Sequence, residues 1–479
     1  MSPNGVASLW PSIPFVSVGN SIQTNGFTFY EQYGVDIISC VSVFPTTAIN
    51  YFIADPVVTK EIMTQRLKFP KPIELYELLL FFGRNIVASE RDEWKKYRKI
   101  SAPAFTEPNN KLVWDETVRV VQDLFDNIWG DQKEVVSENA LDITMPLALF
   151  IIGAAGFGRR LSWTDEAVPD PGHKLTFRET LYTVSTDVIL KVSLPKLALY
   201  ATERTRKVKL AFEELEHYML DMIKHRRNAT KKEDRYDLFS SLLDANEGLL
   251  DGEAKLTDQE LLGNIFIFLI AGHETTAHTL AFALALLALH QDEQEALYQD
   301  LKKNFPDGRI PTYDDINKLG HVEAVMNETL RLFPPAPSVP KYATEDTTFV
   351  TKNAAGEKVV VPVPAGTGIS LNISALQKNP RYWPNPDKFD PGRFLSNDWP
   401  RDAFVPFSGG VRSCLGRRFA ELESLVVLSM FFLKYKITVK EEPQYANETW
   451  EEKRARVLRV TQGITITPVR VPLLFTRRE

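Results

Sequence analysis

The feature that most constrains the fold is a long apolar segment between Leu261 and His290. Thr257 and Glu260 stand immediately before it with the spacing of a capping box, which predicts that a helix begins here. Polar residues interrupt the segment, so no uninterrupted apolar run reaches the roughly 18 residues expected of a membrane span. We therefore expect one long helix over about 257–290 that is buried through the middle of a globular protein.

The centre of this predicted helix carries residues that a buried helix does not favour. Gly272 costs about 1 kcal/mol relative to alanine in a helix interior. Glu274 places a carboxylate among apolar turns. A kink or a packing contact would account for both residues, and so would a functional site, and the local sequence leaves these explanations open.

Cysteine usage narrows the chemistry further. The chain has 479 residues but only two cysteines, too few for a disulfide framework or a cysteine-rich zinc site. Cys40 lies in an apolar, strand-like run, where a buried structural thiol is expected. The formal net charge of −6 argues against a general nucleic-acid binder.

Cys414 has a different setting, in the glycine-rich loop 407–416 that leads directly into a predicted helix. The positive end of a helix dipole stabilises a thiolate, and glycines let the backbone approach a large flat group closely. Arg412, two residues away, offers a cation suited to a carboxylate. This combination fits a thiolate ligand of haem iron, with Arg412 reaching a haem propionate.

Five loop residues then carry a family resemblance. The pattern Phe-x-x-Gly-x-Arg-x-Cys-x-Gly, formed by Phe407, Gly410, Arg412, Cys414 and Gly416, resembles the haem-binding loop of the cytochrome P450 superfamily. The resemblance covers about residues 30–475 and has the character of eukaryotic microsomal, fungal members. It implies a mainly α fold, a large helical domain with a minor β-sheet part, and haem b buried between the long central helix and the Cys414 loop.

The patterning along the chain predicts a single domain over residues 1–479. It shows no internal repeat and no low-complexity linker that would separate smaller domains. Strand-like segments at about 30–70, 340–370 and 455–470 are expected to form the minor β part.

The centre of the long helix, Ala271 to Thr276, resembles the oxygen-activating segment of the same family. The resemblance implies a monooxygenase, in which one atom of dioxygen enters an organic substrate by hydroxylation or epoxidation. It further implies that Ala271 faces the haem and that Thr275 and Glu274 deliver protons during oxygen activation. The alternative for Thr275 is a hydroxyl bonded back to the carbonyl of Ala271.

A second helix motif is implied to be structural. Glu328 and Arg331 resemble the Glu-x-x-Arg motif of the family, and Arg393 is implied to complete a Glu–Arg–Arg network before the haem loop. A spacing of three places Glu328 and Arg331 on one helix face.

The resemblance also implies how the haem propionates are held. Trp94 and Arg98 resemble residues of an early helix that contact one propionate. Lys341 stands where an arginine often holds the second propionate. A lysine binds a carboxylate as a point charge, without the two parallel hydrogen bonds that an arginine makes. Gln377 stands where a histidine or arginine is frequent. These departures affect which residues contact the propionates. They do not change the expectation that the chain binds haem.

Two other classes of protein share some of these sequence features. His273, Glu274 and His278 suggest a zinc-dependent hydrolase, but the zinc-protease motif needs its second histidine four residues after the first, where this chain has Ala277. A non-catalytic haem-binding protein is the other alternative. Bound iron against bound zinc would separate these classes.

The resemblance implies partners as well as a cofactor. No flavin or dinucleotide motif is present, so electrons are expected from a separate flavoprotein reductase that uses NADPH. Basic residues that could dock it, or that only form a solvated basic face, are Lys95, Lys96, Lys99, Arg417 and Arg418. We expect association with the cytosolic face of the endoplasmic reticulum membrane through an anchor that this chain lacks.

The substrate is expected to be a small apolar or aromatic organic molecule. The candidate pocket residues, several of which would be core residues on the simpler interpretation, are Phe81, Phe82, Phe266, Phe268, Leu269, Ile270, Val339, Gln462 and Ile464.

Overall fold

The computed structural model describes residues 26–42, 48–164, 168–228, 236–247, 255–462 and 465–478. Their helices are Thr28–Tyr33, Pro56–Thr64, Arg91–Ser101, Glu107–Asp123, Leu141–Ile151, Phe177–Ser193, Glu203–Asn228, Leu238–Glu247, Asp258–Leu289, Gln291–Asn304, Gly320–Leu332, Ile373–Leu376, Arg417–Lys434 and Trp450–Val457. Their strands, β1 to β11 in chain order, are Ile37–Ser42, Ala48–Ile53, Glu134–Ser137, Ser338–Tyr342, Thr347–Lys352, Lys358–Val363, Gly368–Asn372, Tyr435–Val439, Val460–Gln462, Ile466–Pro468 and Leu473–Arg477. Helices predominate and the strands are short, so the predicted mainly helical fold with a minor β part is confirmed.

The chain forms two compact units. The sheet unit comprises Met1–Glu77, Ala324–Arg417 and Ile464–Thr467, and the helical unit comprises Leu78–Glu323, Arg418–Gly463 and Pro468–Glu479. Strands occur in all three segments where the sequence predicts the minor β part. The single domain over 1–479 stays a prediction.

The sheet unit is built on a four-stranded sheet with the order β1-β2-β7-β4. β2 and β7 are parallel, whereas β1 pairs with β2 and β4 pairs with β7 in antiparallel fashion. Its core contains Ile53, Phe69, Phe349 and Leu371, none of which is exposed. Cys40 lies on β1 opposite Asn50 and is only partly buried, and burial raises the pKa of its thiol.

The helical unit contains the central helix, Asp258–Leu289. Its start is fixed by the predicted capping box, because the Thr257 hydroxyl accepts from the Glu260 N–H and the Glu260 carboxylate accepts from the Thr257 N–H. The helix packs on Leu141–Ile151, with Ala277 against Met145 and Ala148. Most of its residues are buried, which agrees with an apolar sequence on nearly every face.

The helical unit also contains a three-stranded sheet that the sequence did not predict. β11 lies between β3 and β8, and both pairings are antiparallel. Phe475 on β11 joins an aromatic cluster with Trp129, Phe431 and Tyr435, which covers this sheet. Strands of four or five residues give too little alternation to be separated from the helices beside them.

Among the described residues, the central helix alone is long and apolar enough to cross a membrane. About three quarters of its most apolar stretch, 72%, is buried inside the protein. Such burial is typical of the core helix of a globular protein.

Glu423 predicts a pH-dependent change in stability. It lies on the helix Arg417–Lys434, is 1% exposed, and its Oε1 atom has no hydrogen-bond partner among the described residues. Burial raises the pKa of its carboxyl well above the usual value. Such a group must take up a proton on folding, so its contribution is fully present at low pH and is lost as the pH rises towards the folded-state pKa.

We expect Glu423→Gln to be more stable than the wild type at neutral pH and above. The gain should widen by up to about 1.4 kcal/mol per pH unit, because the amide needs no proton. Thermal midpoints of the holoprotein between about pH 5 and pH 8 measure this. Glu451→Gln, at an exposed position, serves as the control. A gain that does not change with pH would contradict the assignment of a buried protonated carboxyl.

Candidate functional site

The loop that carries Cys414 closes on itself. The Cys414 N–H donates to the carbonyl of Phe407 at 2.9 Å, and the Ser408 N–H donates to the carbonyl of Val405 at 2.9 Å. Ser408 and Gly410 take positive φ angles of 59° and 63°, so the backbone reverses sharply between the two ends. Cys414 emerges from this turn with an exposed side chain, three residues before a helix begins.

The glycines of this loop lie against the helix Pro56–Thr64. A Cβ atom on Gly409 would approach the Met63 sulfur to 2.9 Å, and one on Gly410 would approach the Met63 carbonyl oxygen to 2.8 Å. The second contact is with main chain, which cannot move aside as a flexible side chain can. The two glycines therefore fix the loop against this helix, and the thiol of Cys414 stays exposed beyond it. An exposed thiol on a fixed loop has the chemistry expected of a thiolate ligand for iron.

Glu328 and Arg331 form a fully buried ion pair in the sheet unit. Arg331 Nε and Nη2 donate to the two carboxylate oxygens of Glu328 at 2.6 and 2.8 Å, a forked geometry. The Asp390 N–H donates to the same carboxylate at 2.9 Å. Arg393 Nε stands 3.5 Å from it, at ion-pair distance. The structure therefore brings the three predicted network residues together, while burial raises the pKa of Glu328 and the Arg331 guanidinium opposes that rise.

Gln377 is a buried residue whose role sequence reasoning did not find. It lies immediately after the short helix Ile373–Leu376, and no part of its side chain is exposed. Its side-chain amide bonds only main-chain groups, those of Leu330, Arg331 and Val405.

The predicted propionate-binding residues are divided between the two units. In the helical unit, Trp94 is buried and Arg98 is half-buried on the helix Arg91–Ser101. In the sheet unit, Lys341 is buried on β4 and Arg412 is half-buried in the loop. Gly416 lies in the turn just before the next helix. Their contacts with a propionate stay a prediction.

One face of the central helix is open. Ala271 is exposed and Phe268, Gly272 and Thr275 are partly exposed, in a helix whose other residues are mostly buried. These four residues follow the spacing i, i+3, i+4 and i+7 and therefore share one side of the helix. Glu274 is partly exposed beside them.

The Thr275 hydroxyl donates to the carbonyl of Ala271 at 2.7 Å. This is the back-bonded alternative that the sequence left open, and Thr279 repeats it with the carbonyl of Thr275 at 2.8 Å. To donate to a ligand, the Thr275 hydroxyl must rotate away from Ala271. A Cβ on Gly272 would lie 3.2 Å from Ile152 Cδ1, so this glycine sits at a tight packing contact.

His273 and His278 are both buried. His273 Nε2 lies 3.0 Å from the carbonyl of Met145, and burial lowers the pKa of the imidazole to about 4. The neutral ring therefore donates to Met145, and that nitrogen is not available to a metal. No group of three or more His, Cys, Asp or Glu residues in the described part of the chain is placed to hold a metal ion. The zinc-hydrolase alternative has no geometric support there.

Four phenylalanines of the helical unit form one cluster. Phe81 and Phe82 each contact Phe266 on the central helix, with ring centroids 6.3 and 4.8 Å apart. Both also contact Phe212 on the helix Glu203–Asn228, at 5.0 and 6.0 Å. Phe212 was not among the predicted pocket residues, because nothing in its local sequence distinguishes it from an ordinary core position.

The other candidate pocket residues have varied settings. Phe268 is partly exposed and meets Phe105 edge-on, whereas Leu269 and Ile270 are buried. Val339 is half-buried on β4. Gln462 is the last residue of β9, and Ile464 lies outside the described residues.

Two glycines missed by sequence reasoning hold the Phe81–Phe82 segment on the central helix. A Cβ on Gly83 would lie 2.2 Å from the carbonyl oxygen of Gln259, and one on Gly263 would lie 2.5 Å from that of Arg84. Asn264 adds a side-chain acceptor for the Ile86 N–H at 2.9 Å. No side chain larger than hydrogen fits at this crossing.

The basic residues of the helix Arg91–Ser101 do not all face solvent. Lys96 pairs with Glu260 at 2.5 Å, and the Tyr97 hydroxyl donates to the same carboxylate at 2.8 Å. Burial works against ionisation of Glu260, but Lys96, the Thr257 N–H and Tyr97 together hold the pKa of its carboxyl below the usual range. Lys95 is exposed beside Asp92.

The remaining basic candidates are exposed. Lys99 lies in the last turn of the same helix, Arg417 stands over the Phe407 ring at 5.5 Å, and Arg418 lies 3.6 Å from Glu421.

Comparison with known proteins identifies the family. The family model described as Cytochrome P450 matches residues 8–467. The chain is 53% identical over 469 residues to cytochrome P450 monooxygenase 124 of Postia placenta, covering 97% of this chain and 90% of that one. It is 30% identical over 457 residues to cytochrome P450 monooxygenase ORF6 of Penicillium roqueforti, covering 86% and 77%. The crystal structure of the cytochrome P450DA haem domain superposes with a TM-score of 0.77 at 24% identity, over 98% of this chain and 97% of that one.

The chain belongs to the cytochrome P450 family. It is a haem-thiolate monooxygenase with haem b as cofactor and dioxygen as co-substrate. The structural neighbour supports the fold, and the relatives support the reaction class.

Proposed function

We propose that Cys414 is the thiolate ligand of the haem iron and that the enzyme oxidises an apolar or aromatic organic substrate. The observation that carries this proposal is the Cys414 loop itself, in which a main-chain hydrogen bond from Cys414 to Phe407 turns the thiol outward. When bound, the haem supplies the electron-transfer and dioxygen chemistry by which one oxygen atom enters the substrate. Arg412, Trp94, Arg98 and Lys341 are the residues that would hold its propionates, with the loop residues Phe407, Gly410 and Gly416 beside it.

The open face of the central helix supplies the proton path in this proposal. Ala271 leaves room on that face, because its side chain is a single methyl group. The Thr275 hydroxyl, which donates to the Ala271 carbonyl, would become a proton donor on the open face once it rotates away from that carbonyl. Glu274, partly exposed beside it, passes protons inward from solvent.

The phenylalanine cluster supports an apolar substrate. Phe81, Phe82, Phe212 and Phe266 form an aromatic cluster in which only Phe81 is more than slightly exposed. Phe268, which meets Phe105 edge-on, adds a partly exposed aromatic ring to the open face of the central helix that carries Thr275. Aromatic walls with few polar groups are typical of pockets for apolar ligands.

We further propose that a flavoprotein reductase delivers the electrons and that the enzyme works at the cytosolic face of the endoplasmic reticulum membrane. Mammalian relatives such as cytochrome P450 4A10 of Mus musculus, 26% identical over 436 residues and covering 85% of this chain, support this setting. Exposed Lys95 and Lys99 offer the positive charge that an acidic partner would recognise.

The spectrum of the reduced protein with carbon monoxide tests the ligand assignment. The wild type should give the Soret band of a thiolate-ligated haem. Cys414→Ser should lose this band, whereas Cys40→Ser should keep it, because Cys40 lies on β1 away from the loop. An unchanged band in Cys414→Ser would contradict the proposal.

Thr275→Ala should keep the haem but divert reducing equivalents into hydrogen peroxide. We expect product per NADPH to fall by about tenfold or more, because proton transfer by a positioned group typically contributes about 10²–10⁴-fold to the rate. Thr279→Ala removes an equivalent back-bonded hydroxyl one turn later and should stay near the wild type. Equal coupling in the two variants would exclude the proton role of Thr275.

Charge reversal separates docking lysines from the structural one. Lys95→Glu and Lys99→Glu should weaken the affinity for the reductase several-fold at low salt, and the loss should shrink as salt is added. Lys96→Gln should instead lower the thermal midpoint and leave reductase affinity unchanged, because Lys96 is largely buried against Glu260 whereas Lys95 and Lys99 are exposed. If the Lys95 and Lys99 variants bind the reductase normally, this face is not the docking site.

A further inference from the structure

Gln377 has hydrogen-bond partners on two separate segments of the sheet unit. Its Nε2 donates to the carbonyls of Leu330 and Arg331 at 2.9 and 3.2 Å, and its Oε1 accepts from the Val405 N–H at 3.0 Å. Its own main-chain carbonyl accepts from Arg331 Nη1 at 2.9 Å. Both amide hydrogens are therefore committed to protein groups, which leaves no donor for a haem propionate.

The first segment is the end of the helix Gly320–Leu332. Leu330 and Arg331 lie in its last turn, where carbonyls have no partner within the helix. Gln377 supplies the missing donor to both. It thereby caps the helix that carries the buried ion pair between Arg331 and Glu328.

The second segment leads directly into the Cys414 loop. Val405 is held at its N–H by Gln377, and its carbonyl accepts from the Ser408 N–H at 2.9 Å. Two residues after Val405, the carbonyl of Phe407 accepts from the Cys414 N–H. A continuous chain of hydrogen bonds and short main-chain steps thus runs from the buried ion pair through Gln377 to Cys414.

We infer that Gln377 is a positioning residue that holds the Cys414 loop in the shape needed to keep the thiolate bound to iron. This inference rests on the proposed role of Cys414. A glutamine suits the position because it offers two donors and an acceptor at once. A glutamate would keep the acceptor for Val405 but would turn a second acceptor towards the two carbonyls, and a leucine would offer neither.

The test compares Gln377→Leu with Asn379→Leu. Asn379 is a matched control, because it is an equally buried amide two residues away that donates to the carbonyl of Ala54 at 3.2 Å and has no bond to the Cys414 loop. Both variants should lower the thermal midpoint of the holoprotein. Only Gln377→Leu should speed the conversion of the thiolate-type to the thiol-type carbon monoxide spectrum in mild denaturant, by about tenfold or more, since buried groups lose their partners beside the loop.

Hydrogen exchange provides a second measurement that does not use the haem spectrum. Gln377→Leu should accelerate exchange at the amides of Val405, Ser408 and Cys414, and Asn379→Leu should not. Gln377→His, which keeps one donor and one acceptor, should lie between wild type and Gln377→Leu in both measurements. If Gln377→Leu yields no holoprotein, Gln377→His replaces it in both measurements.

The outcomes separate the two proposals. A wild-type protein without a thiolate-type spectrum would overturn the role of Cys414. A normal wild type, with Gln377 variants that match Asn379→Leu in conversion rate and exchange, would overturn the role of Gln377 alone.

Discussion

The sheet unit depends on a charged pair from which water is excluded. Removing a guanidinium and a carboxylate from water costs several kcal/mol for each ion, and the cost is offset only if nearly every donor and acceptor finds a partner. Arg331 and Glu328 meet this condition. Arg331 donates to both carboxylate oxygens of Glu328 and to the carbonyls of Gln377 and Lys388. The Glu328 carboxylate also accepts from the Asp390 N–H. If one of these partners is lost, the buried charge still carries its desolvation cost but lacks a hydrogen bond that offsets it.

This requirement for partners fixes the positions of segments that are far from Arg331 in the sequence. Arg331 bonds carbonyls 46 and 57 residues away, at Gln377 and Lys388. Trp383 packs its ring against the guanidinium at 5.3 Å. Specificity and not net stability is the benefit we assign to such a pair, because apolar residues of the same volume would often be as stable.

Features defined by local spacing could be predicted from the sequence. The capping box at Thr257 and Glu260 and the common helix face of Glu328 and Arg331 depend on neighbours within a few positions. The sheet of β3, β11 and β8 could not be predicted, because its strands are short and β3 is far from the other two in the sequence. Gln377 was missed for the same reason: its side-chain partners lie 28 to 47 residues away.

Residue type alone also overstated some roles. Lys95 and Lys96 have the same charge and each pairs with a carboxylate, but the pair of Lys95 with Asp92 is exposed and that of Lys96 with Glu260 is largely buried. Gly272 was open to a functional explanation, and its tightest neighbour is the side chain of Ile152. Only three-dimensional neighbours distinguish a residue that serves the fold from one that is free to serve a ligand or partner.

The crossing at Gly83 and Gly263 has a consequence for how this enzyme could diversify. Since no Cβ fits at either position, random mutagenesis that includes them would yield mostly misfolded clones. Phe212 contacts both Phe81 and Phe82 through side chains, and such packing tolerates volume-conserving changes better than a clash with main chain does. On the proposal that this cluster meets the substrate, libraries that vary those three residues and keep both glycines fixed would change the shape of the pocket without disturbing the crossing.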